Sequence, residues 1–323
     1  MPTETYHAVL ELLHRSRMPV VRLLGGEPTE HPLFCDYLVR AFDRGFRVVV
    51  FSGGFIPPAA LSFMAAQPMS RLALVLNVAD PAEGGEALMR RQREVCETLG
   101  ERVMLGVNVR SPGDDRAYVF DWVTEYDLCR TVRVGMAHPN WGGTNESFRL
   151  RGPRTIPILE RLASSAARLG MDVSFDCGFT PCMFSPDFVD AHFEIFADRP
   201  ADGGDGRGTL TEAVGSRCSP VVDILPTGEC IACYALSQFH RLPLPSGAGE
   251  TRDELVAAFE ARLAAALPMG VFRECDHCSY RETGLCGGGC RARRAQRLRP
   301  DSASLLQPAG DAGPRSAPPP PTT

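Results

Sequence analysis

The stretch VVRLLGGEPTEHP, residues 20–32, decides the fold. It reads as a strand over residues 20–24 that runs into a Gly-Gly turn, an acid and a proline. Adjacent glycines let backbone amides approach a ligand more closely than side-chain-bearing residues can. The glutamate offers a carboxylate to a cationic group. Before this stretch, Tyr6, Val9, Leu10 and Leu13 share one helical face. After it, Phe34, Tyr37, Leu38, Ala41 and Phe42 follow the i, i+3, i+4, i+7, i+8 spacing of a second helix. Gly45 is placed to end that helix, and FRVVVFSGG opens the next strand.

The same alternation continues to residue 176. LALVLNVAD, VMLGVNVR, TVRVGMAHP and MDVSFDCG are continuous apolar runs, as expected of parallel strands covered on both faces. Helical patterns such as residues 86–99 and 155–169 separate them. Repeated β–α units of this kind predict an α/β sheet or barrel of parallel strands. Such folds bind ligands at the C-terminal ends of their strands. GGEP, SGG, Asn77 and Asn108 all fall there. Residues 177–217 read as a bridging segment containing a flexible loop, PADGGDGRG. Residues 218–298 form a small cysteine-rich domain interrupted by a helix at 253–266, for which Thr251 and Glu254 supply a capping box. The Pro/Ala/Ser-rich residues 299–323 are expected to be disordered.

The 323-residue chain is 44% hydrophobic and carries a net charge of −5, so it presents no basic field for nucleic acid. All 34 of its basic residues are arginine, which excludes lysine Schiff-base and P-loop chemistry. No apolar run reaches the ~18 residues of a membrane span. The amphipathic, acidic N-terminus does not resemble a signal peptide. These features lead us to expect a cytoplasmic protein, in which 12 cysteines point to metal or redox chemistry rather than a disulfide framework.

Six of those cysteines are patterned. Cys218 and Cys233 stand in C-x9-G-x4-C, and Cys275, Cys278, Cys286 and Cys290 in C-x2-C-x7-C-x3-C. A C-x2-C turn brings two thiolates to one metal and a second pair closes a four-ligand site, a pattern that suits zinc or an iron–sulfur cluster. Glycines 287–289 free the backbone for amide-to-sulfur hydrogen bonds. Six thiolates exceed one four-ligand site and fall short of two. Cys177 and Cys182 lie just past the last strand and could complete a site with Cys218 and Cys233, as could Cys230. Cys35, Cys96 and Cys129 lie on helical patterns and read as small core residues. His277, between two cysteines, is a weaker ligand candidate. Asp80 reads as part of a solvated face. Trp122 and Trp141 read as packing residues, although the loop AHPNWGGTNE lies at a strand end where substrate would bind.

These residues carry a likeness. GGEP at a strand end, between two helices and ahead of VVVFSGG, resembles the radical S-adenosylmethionine (SAM) enzymes. The cysteine pattern resembles their SPASM or twitch extension, which holds auxiliary iron–sulfur clusters. The resemblance implies that Gly25, Gly26, Glu27 and Pro28 bind the methionine part of SAM. Ser52 takes the place of a polar turn residue there, and Asn77 is a candidate ribose contact. It implies that Cys218, Cys233, Cys275, Cys278, Cys286 and Cys290 hold an auxiliary [4Fe–4S] cluster. The implied activity is modification of a peptide or protein by hydrogen abstraction through a 5′-deoxyadenosyl radical, with electrons from a flavodoxin- or ferredoxin-type donor. The alternatives are a degenerate paralogue that binds a peptide or partner without chemistry, and a zinc-stabilised binding module.

The chain also departs from that family. Its catalytic cluster sits on a C-x3-C-x2-C loop ahead of the GGEP strand, and no such motif occurs in this sequence. After Cys286 and Cys290, position 293 is arginine. The helix at the start of the chain corresponds to the one that follows the cluster loop. The expectation is therefore a barrel without its first strand and catalytic cluster, through either a shortened start or genuine loss. The x7 spacing replaces the usual x5, and no cysteine follows Cys290.

Overall fold

The computed structural model describes residues 1–109, 116–136, 156–176, 178–191, 218–245, 249–267, 270 and 272–297. The predicted loops at 137–146 and 200–208, Trp141, Cys177 and the tail at 299–323 lie outside the described residues.

A single six-stranded parallel sheet forms the larger part: β1 (Val20–Leu23), β2 (Arg47–Ser52), β3 (Leu72–Asn77), β4 (Val103–Val109), β5 (Thr131–Met136) and β6 (Asp172–Phe175), in chain order. Every neighbouring pair is parallel, from Val20 opposite Arg47 to Val134 opposite Phe175. The helices that return the chain between strands are α1 (Thr3–Arg15), α2 (Phe34–Asp43), α3 (Pro58–Ala65), α4 (Pro81–Leu99), α5 (Tyr118–Glu125) and α6 (Ile156–Arg168). The fold is the expected α/β arrangement of a partial barrel.

Alternation along each strand builds two different faces. Val48, Val50, Leu72, Leu74, Leu76, Val103, Leu105, Val132 and Val134 pack with Leu10, Leu38, Phe42, Met64, Val95, Val123 and Leu159 of the helices. The opposite face has its own small apolar layer, Val49, Ala73, Val75 and Met104, flanked by Val20, Phe51 and Cys129. Cys129 therefore departs from its helical reading: it lies between α5 and β5, with its N–H bonded to the Val103 carbonyl at 3.0 Å, and packs on the face away from the helices. Cys96 is fully buried between helix and sheet, as expected.

Glycine sets the helix boundaries. Gly45, at φ 82°, ends α2, and the Phe46 N–H closes back onto the Ala41 carbonyl at 3.0 Å. α4 starts five residues ahead of its periodic pattern, at Pro81, and Gly85 (φ 67°, ψ 163°) breaks it near its start. α3 is short and its buried residues are Ala60, Leu61 and Met64, too few to reveal helical periodicity in the sequence.

Past the barrel, α7 (Pro186–Ala191) precedes a small antiparallel sheet, β7 (Asp223–Ile224), β8 (Glu229–Ile231) and β9 (Arg241–Pro243). The β7–β8 hairpin turns at Gly228 (φ 82°), as PTGEC suggests. α8 (Arg252–Ala266), α9 (Ser279–Glu282) and α10 (Arg291–Arg297) complete the described chain. The Glu254 carboxylate accepts the Thr251 N–H at 2.6 Å, one half of the predicted capping box. This part docks on α1. Leu12 is buried with Cys230, Leu236, Phe239, Phe259 and Leu263. Ser16 Oγ accepts the Arg252 N–H at 2.8 Å and so caps the start of α8.

Candidate functional site

Leu23 ends β1, and the chain turns through Gly25 (φ 91°) and Gly26 (φ 56°). Both glycines are exposed, and a Cβ on either would meet nothing within 4 Å. Two successive left-handed residues in open space present backbone to solvent at the C-terminal end of the sheet. Pro28 then starts a 3-10 turn, Pro28–Glu30, and Glu27 caps it.

Glu27 fastens this loop to the next strand. Its Oε1 accepts from the Thr29 N–H at 3.3 Å and from Thr29 Oγ1 at 2.7 Å. Its Oε2 accepts from Ser52 Oγ at 2.8 Å and from the Gly53 N–H at 3.0 Å. Ser52, almost completely buried, also accepts the Gly54 N–H at 2.9 Å. The acid of GGEP and the serine of SGG thus form one clasp across the ends of β1 and β2. Protein donors already occupy both carboxylate oxygens, so an incoming ammonium would share them in three-centre bonds.

A second polar position lies beside the clasp. Asn77 ends β3 with its Oδ1 buried and without a hydrogen-bond partner. Gly106 of β4 makes room for it, since a Cβ there would come within 2.9 Å of that oxygen. An orphaned buried acceptor at a strand end fits a ligand that donates a hydrogen bond.

Sequence reasoning missed Gln92. It lies on α4, is fully buried, and donates through Nε2 to the Gly53 carbonyl at 2.8 Å and the Asn77 carbonyl at 3.1 Å. Its Oε1 accepts the Ala79 N–H at 3.3 Å. One amide therefore ties the ends of β2 and β3 together beneath the site. A glutamine on a helix otherwise reads as surface, and no local pattern signals this role. Asp80 also departs from its solvated reading: it pairs with the buried Arg116 at 3.5 Å, and Tyr118 Oη donates to the Ala79 carbonyl at 2.6 Å, which pins the loop after β3.

Farther across the same face, Arg133 of β5 pairs with Asp176 and lies over the Phe51 ring at 5.8 Å. Asn108 of β4 points at Gly135, whose missing Cβ leaves it space. The strand ends thus form a polar floor running from Glu27 through Asn77 and Asn108 to Arg133 and Asp176.

The thiols sort into two groups. Cys218 hydrogen-bonds with Cys290, and this contact, more than burial, raises its pKa. Cys233 is pushed up to about 12, chiefly by burial and then by Cys290. The second group contains Cys286, raised first by burial and then by Cys182, Cys275 and Cys278. Cys230 belongs to neither: burial alone pushes it up to about 11, and it packs in the apolar core with Leu12 and Phe259. Among the described residues no cysteine forms a disulfide, and no set of three or more His, Cys, Asp or Glu side chains converges as a ready-made metal site. The surroundings nonetheless suit thiolates bound to a cluster. Gly288 N–H donates to Cys286 Sγ at 3.3 Å, the Arg291 amide bonds to Cys218, and the Ala235 and Leu236 amides bond to Cys233. His277 is exposed on the turn between Cys275 and Cys278.

No family model matches the chain, and no curated protein matches it. Solved structures of SuiB from Streptococcus suis do match. The structure bound to S-adenosylmethionine aligns with a TM-score of 0.58 at 12% identity, over 94% of this chain and 69% of SuiB. A second SuiB structure aligns with a TM-score of 0.60 at 12% identity, over 92% and 69%. The structure bound to the precursor peptide SuiA aligns with a TM-score of 0.55 at 13% identity, over 94% and 69%. At this identity and coverage, what the chain shares with SuiB is its fold.

Proposed function

We propose that the chain binds SAM at the C-terminal ends of β1–β4 and takes part in radical-based modification of a peptide or protein. The observation that carries this reading is the pairing of exposed, left-handed Gly25 and Gly26 with the orphaned Asn77 Oδ1 across the Glu27–Ser52 clasp. SAM has a zwitterionic amino-acid end and a ribose diol. The exposed backbone at Gly25 and Gly26 suits the carboxylate, Glu27 suits the ammonium, and Asn77 suits a ribose hydroxyl. Pro28 holds the loop's entry into its turn, and Ser52 holds Glu27. The likeness of fold to SuiB, crystallised with SAM and with its precursor peptide, supports both ligand classes.

An iron–sulfur cluster would supply the electron that cleaves SAM, passed on from a flavodoxin- or ferredoxin-type donor. In this reading residues 1–176 bind and orient SAM, and residues 218–298 hold auxiliary iron–sulfur chemistry through Cys218, Cys233, Cys275, Cys278, Cys286 and Cys290. The polar floor of Asn108, Arg133 and Asp176 is placed to receive the polar backbone of an extended peptide. A second reading is a non-catalytic peptide- or partner-binding protein. The observation that favours it is the absence of C-x3-C-x2-C from this sequence.

Calorimetric titration with SAM tests the site. Saturable binding is expected for the wild-type chain, and Gly25→Val together with Asn77→Ala should weaken it at least ~10-fold, equivalent to ~1.4 kcal/mol. A wild-type chain that does not bind SAM refutes the proposal.

A further inference from the structure

The C-x2-C-x7-C run provides three thiols close in sequence, Cys275, Cys278 and Cys286. A four-thiolate site needs one more, and Cys290 is taken up with Cys218 and Cys233. The fold brings a different cysteine to the run. Cys182 lies on the 3-10 turn Pro181–Met183, which follows β6 at the C-terminal end of the barrel. Its side chain packs against Phe272 and Cys275, ninety-three residues later in the chain.

The surroundings of the four thiols are built in detail. Cys275 and Cys278 flank the exposed turn containing His277, and the Cys278 carbonyl accepts the N–H groups of Arg281 and Glu282 at 2.9 and 3.0 Å. Arg281 Nη1 donates to the Cys275 carbonyl at 2.8 Å. The Cys286 N–H returns to the Tyr280 carbonyl at 2.9 Å, which folds the x7 insertion into a tight loop. Gly270 (φ 115°) lies against Cys275, so closely that a Cβ there would stand 3.0 Å from Cys275 Cβ and 3.8 Å from its Sγ. The glycine thus leaves a bare wall beside that sulfur. Tyr280 and Leu285 pack on the barrel core, and on either side of the Cys182 turn in the chain the Phe175, Phe179, Phe184 and Phe188 rings pack on one another in that core. Both halves of the thiol group are therefore held by separate, well-packed elements.

We propose that Cys182, Cys275, Cys278 and Cys286 form one four-thiolate [4Fe–4S] site, in which Cys182 is the ligand from the barrel. The proposal rests on the iron–sulfur reading of the C-terminal cysteines and adds a ligand to it. Assembly from two ferrous ions, two ferric ions, four sulfides and the four thiols forms four Fe–S(Cys) bonds and releases four protons. No net electron transfer is needed. The site would staple the end of the barrel to the cysteine-rich segment and close a long loop of chain, so its formation is also folding energy.

The full chain would be reconstituted without oxygen using equimolar ferrous and ferric iron with sulfide, then alkylated with iodoacetamide and mapped by mass spectrometry. Cys182 should be protected together with Cys275, Cys278 and Cys286, whereas the partly exposed Cys35 should be labelled. Cys182→Ala and Cys275→Ala should each lower iron and sulfide relative to wild type by about one cluster or leave a three-iron species, and Cys230→Ala should leave both unchanged. Circular dichroism would confirm that each variant is folded, and Cys182→Ser, which retains an oxygen ligand, should keep part of the iron. Loss of iron in Cys275→Ala with full iron and an unchanged EPR spectrum in Cys182→Ala would overturn the role of Cys182 alone. Unchanged iron in both variants, or stoichiometric zinc without sulfide, would overturn the underlying iron–sulfur reading as well.

Discussion

Glu27 is the residue whose removal tests most of the site at once. Its carboxylate accepts four hydrogen bonds, two within its own loop and two from Ser52 and Gly53 at the end of β2. Glu27→Ala removes the acceptor but leaves its donors in place. Ser52 is buried, so its hydroxyl loses a partner where water cannot easily replace it. Each buried donor left unmet costs ~1–3 kcal/mol. Glu27 itself is half-buried and Thr29 can turn to solvent, so we count one to two such losses, ~2–3 kcal/mol. At ~2–4 °C per kcal/mol for a chain of this size, the melting temperature should fall by ~4–12 °C. Glu27→Gln keeps one acceptor oxygen but turns an NH2 toward either Thr29 or Ser52, and should fall between the two. Differential scanning calorimetry measures the drop, and SAM titration of the same samples measures the ligand role. A Glu27→Ala chain that melts within ~1 °C of wild type refutes the clasp. A lower melting temperature with unchanged SAM affinity keeps the clasp and refutes the contact with SAM.

Three further outcomes follow from particular residues. Cys96, buried between α4 and the sheet, has its pKa raised from 9.0 to about 12 by burial, with smaller contributions from Glu97 and Glu125. Because the folded value is raised, its contribution is complete below pH ~9 and is lost as pH climbs toward about 12; urea melts across that range should show a decline that Cys96→Ala flattens. Gly135→Ala places a Cβ 2.5 Å from Asn108 Oδ1 and should destabilise by ~1–3 kcal/mol, with Asn108→Ala in the same chain recovering most of it. Incubated with SAM and dithionite after reconstitution, this 323-residue chain should yield no 5′-deoxyadenosine above background, because it contains no C-x3-C-x2-C; chromatographic detection of robust product would show that other residues provide the catalytic cluster.

The sequence by itself determined the order of strands and helices through residue 176. Each strand is a continuous apolar run and the longer helices show one apolar stripe, and a parallel sheet with covering helices satisfies both at once. It also placed GGEP, SGG and Asn77 at strand ends, because strand boundaries are local. Local pattern could not show that Glu27 grips Ser52, since the two are joined only when β1 and β2 lie side by side. Nor could it show the buried role of Gln92, which depends on three carbonyl and amide groups from two strand ends meeting one helix. Leu12 lies off the stripe formed by Tyr6, Val9, Leu10 and Leu13, and the cysteine-rich part buries it. The cysteines show the same division most sharply. Spacing announced a thiolate-rich segment, but spacing is one-dimensional. It offered Cys182, Cys177 and Cys230 alike as partners for Cys218 and Cys233, whereas the chain's path around the end of the barrel sets Cys182 against the Phe272–Cys275 pair, because packing of the turn after β6, rather than distance along the chain, decides which sulfurs become neighbours.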